Sequence, residues 1–350
     1  MSDAGAAGGL RVTAGGPHVT VVIPARNCAA ELPGCLDAVS AQTYRGSLDV
    51  IVAVAPSSDE TEDVARESNC AWPLEVVDNP AGTTSSGLNL AIAEAAGSVI
   101  VRVDAQARLP ADYVERAVAT LAKSGAANVG GVQSAVGRSG LSRVIAAAVS
   151  SPFGGGPAAF RQGSHSGPVD TVYLGVFDAA ALRSVGGFDE SLERNQDYEL
   201  NWRLHEAGHV VWLDPSLVVE YLPRSSWAGL ARQYFDYGVW KRVVISRHPR
   251  SMQPRQLAAP ALVVGLVLSA CQLAKGRQRG LIAPAAYIGA CALAAARLRS
   301  SLPQLGDRVR AAAAFAVMHF SWGAGFLLGP RRGNRHGARA PAMQGSADRM

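Results

Sequence analysis

Charge is scarce in this 350-residue chain: Asp, Glu, Lys and Arg make up 17% of it, against 48% apolar residues. An average soluble domain carries about 25% charged residues. Part of the chain is therefore expected outside water, and the apolar excess lies toward the C-terminus. The five cysteines, Cys28, Cys35, Cys70, Cys271 and Cys291, contain no CxxC pair and are odd in number. That argues against a disulfide framework or a zinc site and fits a reducing cytosolic setting. Residues 1–16 are Gly/Ala-rich without the apolar core of a secretory signal, and are expected to be disordered. The formal charge of +5 and the pI near 9.1 arise largely after Arg224. A membrane surface fits that distribution better than nucleic acid.

Short β-branched runs alternate with amphipathic segments in the first third. Val19–Ile23, Leu48–Val54, Leu74–Val77 and Val99–Val103 read as buried strands. Helices are expected through Leu32, Leu36 and Val39, through Val64 with Asp59 as its cap, and through Leu88, Ile92 and Ala95. Four such alternations in about 85 residues predict an α/β fold, a mostly parallel sheet with helices on both faces. Ligands of such sheets bind beyond the carboxyl ends of the strands. The expected rim is thus Ala25, Arg26 and Asn27, then Ala55 to Asp59, Asp78 to Gly82, and Asp104 to Gln106. Further on, helices are expected over Leu109–Ala122, Val144–Val149 and Asp178–Val185. Strands are expected over Asn128–Ser134, Val169–Val176, Val210–Leu213 and Leu217–Tyr221. Pro152 to Gly167, with Arg161 and His165, reads as a long loop, either a binding loop or disordered.

The stretch "NQDYELNWRL", Asn195–Leu204, is expected to be a helix with Asp197 at its positive end and Glu199 and Arg203 paired at i and i+4. Trp227–Ile245 mixes Trp227, Tyr234, Phe235, Tyr237 and Trp240 with Arg232, Lys241 and Arg242, the composition of a membrane-interface helix. Gln256–Ala274, Gly280–Ala296 and Ala311–Pro330 carry no Asp, Glu, Lys or Arg. Each approaches the roughly 20 apolar residues that cross a bilayer. The expected organisation is a disordered start (1–16), a catalytic domain (17–225), an interfacial helix (226–250), a hydrophobic region of two to three helices (256–330) and a disordered basic tail (331–350).

Carboxylates at a strand end and on a later helix suit nucleotide-diphosphate chemistry. One can hold a divalent ion against a leaving diphosphate, and the other can take a proton from an attacking hydroxyl. Asp104 fits the first role and Asp197 the second.

Several segments together resemble the inverting family 2 glycosyltransferases, in particular the succinoglycan-type bacterial membrane branch. They are "VTVVIPARN" (Val19–Asn27), "PSSDETEDVA" (Pro56–Ala65), "GLNLAIAEAAGSVIVRVDAQARLPADYV" (Gly87–Val114), "GPVDTVYLGVF" (Gly167–Phe177), "VGGFDESL" (Val185–Leu192), "NQDYELNWRL" and "YLPRSSWAGLARQYFDYGVWK" (Tyr221–Lys241). The resemblance implies a GT-A fold, a nucleotide-sugar donor and inversion at the anomeric carbon. It implies that Pro24, Ala25, Arg26 and Asn27 line the nucleoside. Asp59 matches the family's acid after the second strand, Asp104 the first acid of the metal-binding DXD motif, and Asp197 the catalytic base. Gly175, Gln196, Arg203 and Arg224 fall in segments expected near acceptor and diphosphate.

Three departures follow. Ala55 stands where the family has an Asp that binds the base, so the nucleotide is left open. The DXD motif reads Asp104-Ala105-Gln106. The expectation is therefore either weaker binding of Mg²⁺ or Mn²⁺ on Asp104 and Gln106, or neutralisation of the diphosphate partly by arginines such as Arg102, Arg161 or Arg224. The Q-x-x-R-W signature of processive synthases is missing, so single addition is expected. The resulting expectation is a membrane enzyme with a cytoplasmic catalytic domain, transferring one sugar to a lipid-linked saccharide. Transfer to polyprenyl phosphate, or a degenerate sugar-nucleotide-binding scaffold, are the alternatives.

Overall fold

The computed structural model describes residues 15–330 apart from Ser139, Pro157 and Ser164. Nearly all of the two terminal segments expected to be disordered lies outside the described residues. The first half alternates as expected. Strands β1 (Val19–Ala25), β2 (Leu48–Val54), β3 (Leu74–Asp78) and β4 (Val99–Arg102) are separated by α1 (Leu32–Ser40), α2 (Thr61–Arg66) and α3 (Thr84–Glu94). Then come α4 (Tyr113–Ser124), β5 (Asn128–Ala135), α5 (Gly140–Ser150), α6 (Pro152–Gly155), α7 (Ala159–Gln162), β6 (Gly167–Pro168), β7 (Tyr173–Asp178), α8 (Ala179–Ser184), α9 (Gln196–Glu206) and β8 (Val211–Tyr221). Helices α10 (Trp227–Arg247), α11 (Ala258–Ala274), α12 (Ile282–Ala296) and α13 (Leu305–Leu328) complete the described chain.

One sheet runs β3-β2-β1-β4-β7-β5-β8-β6. β1 to β4 are mutually parallel, and β5 with β8 is parallel. β7 is antiparallel to both β4 and β5, and β6 to β8. The sheet is therefore mixed rather than wholly parallel. Successive side chains of a strand alternate faces, and the core divides accordingly. Val21 and Ile23 join Leu36, Val39, Val114 and Leu121 of α1 and α4 on one face. Val22 and Ile51 join Leu88, Ile92, Leu182, Leu200 and Leu204 of α3, α8 and α9 on the other.

The long loop expected after α5 instead holds α6, capped by the Ser151 hydroxyl, and α7. The two short strands expected at 210–221 are one strand. Its pairing with β5 jumps from Leu213 to Val218 while β5 advances only from Gly130 to Val132, so the segment around Pro215 bulges out of the ladder. The α4 helix starts at Tyr113, four residues later than expected.

Beyond the sheet, Val144, Ile145, Leu230, Cys291, Phe315 and Met318 form a third cluster that joins α5, α10, α12 and α13. Helices over 254–274, 278–296 and 305–328 are long and apolar enough to cross a membrane, with mean hydropathies of 2.0, 1.4 and 1.5. Their outer faces leave Val267, Ile282, Ile288, Leu293 and Val309 exposed, as expected where lipid replaces water. His319 lies in the last of them, linked to the Tyr287 hydroxyl at 3.0 Å and the Phe153 carbonyl at 2.8 Å. Helices α10 and α13 cross backbone to backbone. A Cβ on Gly238 would lie 2.1 Å from the Trp322 carbonyl oxygen, and one on Gly325 would lie 2.1 Å from that of Phe235.

Candidate active site

β4 ends at Arg102, and Asp104 follows at its carboxyl end. α9 begins at Gln196, directly after Asn195, whose φ of 62° puts the chain in the left-handed region before the helix starts. Asn tolerates that conformation better than most residues. The turn swings Asp197 over the end of β4.

There the Arg102 side chain, only 6% exposed, holds two carboxylates at once. Its Nε and Nη2 donate to Asp104 Oδ1 at 3.2 and 3.0 Å, and its Nη1 donates to Asp197 Oδ1. The guanidinium also stacks over Phe188, 5.6 Å from the ring centroid. Close packing pushes the Asp197 carboxyl above the usual carboxylate range; Arg102 pulls it back and the Asp104 charge adds to the rise. Its side chain nevertheless remains 41% exposed, so a hydroxyl can reach it. Tyr173 lies near Asp104: burial first, then the Asp104 charge, raises its hydroxyl.

The rim loops after β1, β2 and β3 are stitched together by side chains. Asn27, at φ 48°, accepts from the Ser58 amide at 2.8 Å, while its own amide donates to the Ser57 hydroxyl at 3.0 Å. Asp59 accepts from the Ala29 amide at 3.1 Å and the Thr61 amide at 3.2 Å. It therefore fastens two loops just ahead of α2, whose N-cap position is Glu60 rather than the expected Asp59, and those bonds hold its carboxyl below the usual range. Arg26 reaches the Gly82 carbonyl at 3.1 Å. Pro24 and Ala25 form the floor beneath, Ala25 buried and Pro24 partly so.

Other expected site residues are placed differently. Arg102 is engaged by protein carboxylates rather than left free for a diphosphate. Arg203 donates to Glu199 through Nε and Nη2 at 2.8 Å each, to the Val185 carbonyl, and to the Gly187 carbonyl at 2.7 Å. It ties α9 to the preceding loop instead of facing the rim. Gly175 is a packing position: a Cβ there would lie 2.3 Å from the Phe177 ring and 2.6 Å from Asn128 Oδ1. Gln196 is buried at the helix start and Arg224 stands exposed before α10. Arg161 donates to the Tyr234 hydroxyl at 3.4 Å and lies over Phe160.

Three contacts that the sequence did not single out fix α9 in place. Asn195 Nδ2 donates to the Tyr237 carbonyl at 3.2 Å, the Tyr198 hydroxyl donates to the Ser251 carbonyl, and His248 meets the buried Glu199 at 3.0 Å. All three partners lie in or just beyond α10.

No group of three or more His, Cys, Asp or Glu residues suited to a metal occurs among the described residues. A phosphate-bridging ion needs less: Mg²⁺ commonly sits on one or two protein oxygens plus phosphate. Asp104 Oδ1 is taken by Arg102, while Oδ2 has no hydrogen-bond partner among the described residues. Gln106 is exposed two residues on. This donor set fits a weakly held ion completed by a diphosphate.

Residues 17–235 match the family model described as glycosyltransferase like family 2. The chain is 30% identical over 314 residues to the succinoglycan biosynthesis protein ExoA of Rhizobium meliloti (strain 1021), covering 87% of this chain and 93% of that one. It is 24% identical over 241 residues to the dolichyl N-acetyl-alpha-D-glucosaminyl phosphate 3-beta-D-2,3-diacetamido-2,3-dideoxy-beta-D-glucuronosyltransferase of Methanococcus voltae, covering 65% of this chain and 74% of that one. Among solved structures, the mannosyltransferase PcManGT from Pyrobaculum calidifontis, in complex with GDP-Man and Mn²⁺, superposes with a TM-score of 0.58 at 20% identity, over 89% of this chain and 87% of that one. That likeness concerns the fold, which is GT-A. The chain belongs to glycosyltransferase family 2 and is a glycosyltransferase carrying three C-terminal helices able to cross a membrane.

Proposed function

We propose that this enzyme inverts, and that it moves a single sugar from a nucleotide-sugar donor onto a lipid-linked saccharide at the cytoplasmic face of the membrane. The observation that carries the reading is Asp197, partly open to solvent, paired by Arg102 to Asp104 at the end of β4. The names of the succinoglycan and dolichyl-phosphate relatives support a polysaccharide or lipid-linked acceptor. The apolar helices support anchoring beside such an acceptor.

The donor lies along the rim formed by Pro24, Ala25, Arg26, Asn27 and Asp59, with its diphosphate toward Asp104 and Gln106. Asp197 takes the proton of the acceptor hydroxyl as that oxygen attacks the anomeric carbon. The bond from that carbon to the diphosphate oxygen breaks on the opposite face, and the nucleoside diphosphate leaves. Arg102 keeps Asp197 ionised and aimed. Mg²⁺ or Mn²⁺ on Asp104 and Gln106 would supply positive charge to the departing diphosphate.

The test is radiolabelled sugar transfer by membranes containing the full chain, with UDP-, GDP- and dTDP-sugars, a lipid extract as acceptor, and Asp197→Asn alongside. One donor should label lipid, and the variant should lose about 10²–10⁴-fold of the rate. Transfer that survives Asp197→Asn would instead identify an acceptor that is already an anion, such as polyprenyl phosphate. No transfer from any donor would refute the reading and favour a binding scaffold.

A further inference from the structure

An open groove of about 780 Å³ runs between α5, the start of α6 and α12. Ligand sites commonly enclose roughly 300–1,000 Å³, so it is larger than one sugar needs. Small residues such as Ala147 and Ala290 keep it open, and its lining is mainly apolar. The charged side chains that line it are both arginines, Arg143 and Arg297. Arg143 pairs with Asp307 at 3.0 Å, but Arg310 shares that carboxylate at 3.2 Å. Arg297 has no side-chain hydrogen bond or ion pair among the described residues. The groove therefore joins an apolar trough to an excess of positive charge, on a helix with the length and hydropathy to lie in a bilayer.

One end of the groove meets the sheet at the carboxyl end of β5, where Ala135 lines it. β7 is antiparallel to both β4 and β5, so this end lies on the same sheet edge as the carboxyl end of β4, which Asp104 follows. Two strand spacings, about 10 Å, separate β4 from β5. Ala135 pairs with Tyr221 across the ladder, and the Val136 amide donates to the Tyr221 carbonyl at 2.9 Å, fixing this end to the catalytic sheet.

We infer that the groove seats the polyprenyl diphosphate end of the acceptor. The first isoprene units fill the trough, Arg143 and Arg297 hold the diphosphate, and the saccharide passes the end of β5 toward Asp197. This inference rests on the lipid-linked acceptor proposed above. An ordinary anionic phospholipid matches the trough and the arginines, but has nothing to place at the end that opens toward the acids.

The experiment measures binding of a fluorescent long-chain polyprenyl diphosphate to the detergent-solubilised full chain. Ala290→Trp fills the trough and Arg297→Gln removes the unpaired charge. Nucleotide-sugar binding reports that each variant is folded. Saturable binding should weaken about tenfold in each variant, with nucleotide-sugar binding unchanged and no competition from phosphatidylglycerol. Unchanged probe affinity in both folded variants, or equal competition by phosphatidylglycerol, would overturn the assignment. Intact probe binding in a protein that transfers no sugar would support the groove while refuting the proposed activity, so the two claims fail separately.

Discussion

Replacing Arg102 by Met would test the centre of the site. The substitution keeps the apolar stem against Phe188 and removes the cation shared by Asp104 and Asp197. Breaking a buried pair by deleting one partner costs about 3–5 kcal/mol. Asp197 is 41% exposed, and water will screen its share, which brings the expected loss to about 2–3 kcal/mol. At about 2.1 cal/mol/K of unfolding entropy per residue, that corresponds over the 350 residues to a fall of roughly 3–4 °C in Tm. The pH dependence carries the sharper test. Arg102 lowers the Asp197 pKa while packing and Asp104 raise it. Without Arg102 only the raising influences remain, so Asp197 stays protonated to higher pH. If it is the base, the acid limb of kcat/KM should move upward, and the loss of activity should shrink as the pH rises toward 9. The assay is sugar transfer from saturating donor between pH 5 and 9, alongside thermal unfolding. An acid limb that stays in place or moves downward would show that Arg102 does not set the charge of Asp197.

Glu199→Gln leaves the Arg203 and His248 contacts of α9 without their shared charge and should cost about 2 kcal/mol, visible as a lower Tm; an unchanged Tm would remove Glu199 as the fastener between α9 and the end of α10. Burial, helped by Arg255, pushes the Lys241 amine down to about 7, below its ordinary value of about 10.4 in the unfolded chain. Between those values the unfolded chain binds a proton that the folded one does not, so stability should rise with pH from 7 to 9, by up to about 1.4 kcal/mol per unit. That rise should vanish in Lys241→Met. Equal slopes in both proteins would mean that the Tyr198 ring, 2.9 Å from Nζ, keeps the ammonium charged despite burial. Gln106→Asp restores a second carboxylate and should tighten Mn²⁺ binding roughly tenfold in a titration with nucleotide sugar present; identical binding would detach position 106 from the ion.

The strands β1 to β4 and their helices were legible because each is a β-branched run or a clean helical stripe, and short local signals are enough to define them. The direction of β7 was not legible. A run such as "TVYLGVF" reads the same in either direction, and only its pairing with β4 and β5 shows it to be antiparallel. The apolar C-terminal helices were evident from the lack of charge. Asp104 and Asp197 could each be singled out, but they lie on separate elements, and no local pattern shows that Arg102 joins them. Arg203 shows the same limit: its i, i+4 pairing with Glu199 was readable, while its bonds to the Val185 and Gly187 carbonyls depend on how the loop folds back.

The close crossing of α10 and α13 at Gly238 and Gly325 bears on how the enzyme can be handled. Helix α9, which carries the proposed base Asp197, is fastened to α10 and the turn after it, and α10 in turn presses its backbone against the last apolar helix. The hydrophobic region is thus part of the scaffold that aims Asp197, and not a detachable tether. A shortened, water-soluble version ending after α10 would retain every residue proposed for chemistry while losing the surface that holds their frame. Detergents or lipids that splay α13 from α10 should act on catalysis as inhibitors do, without touching the donor site.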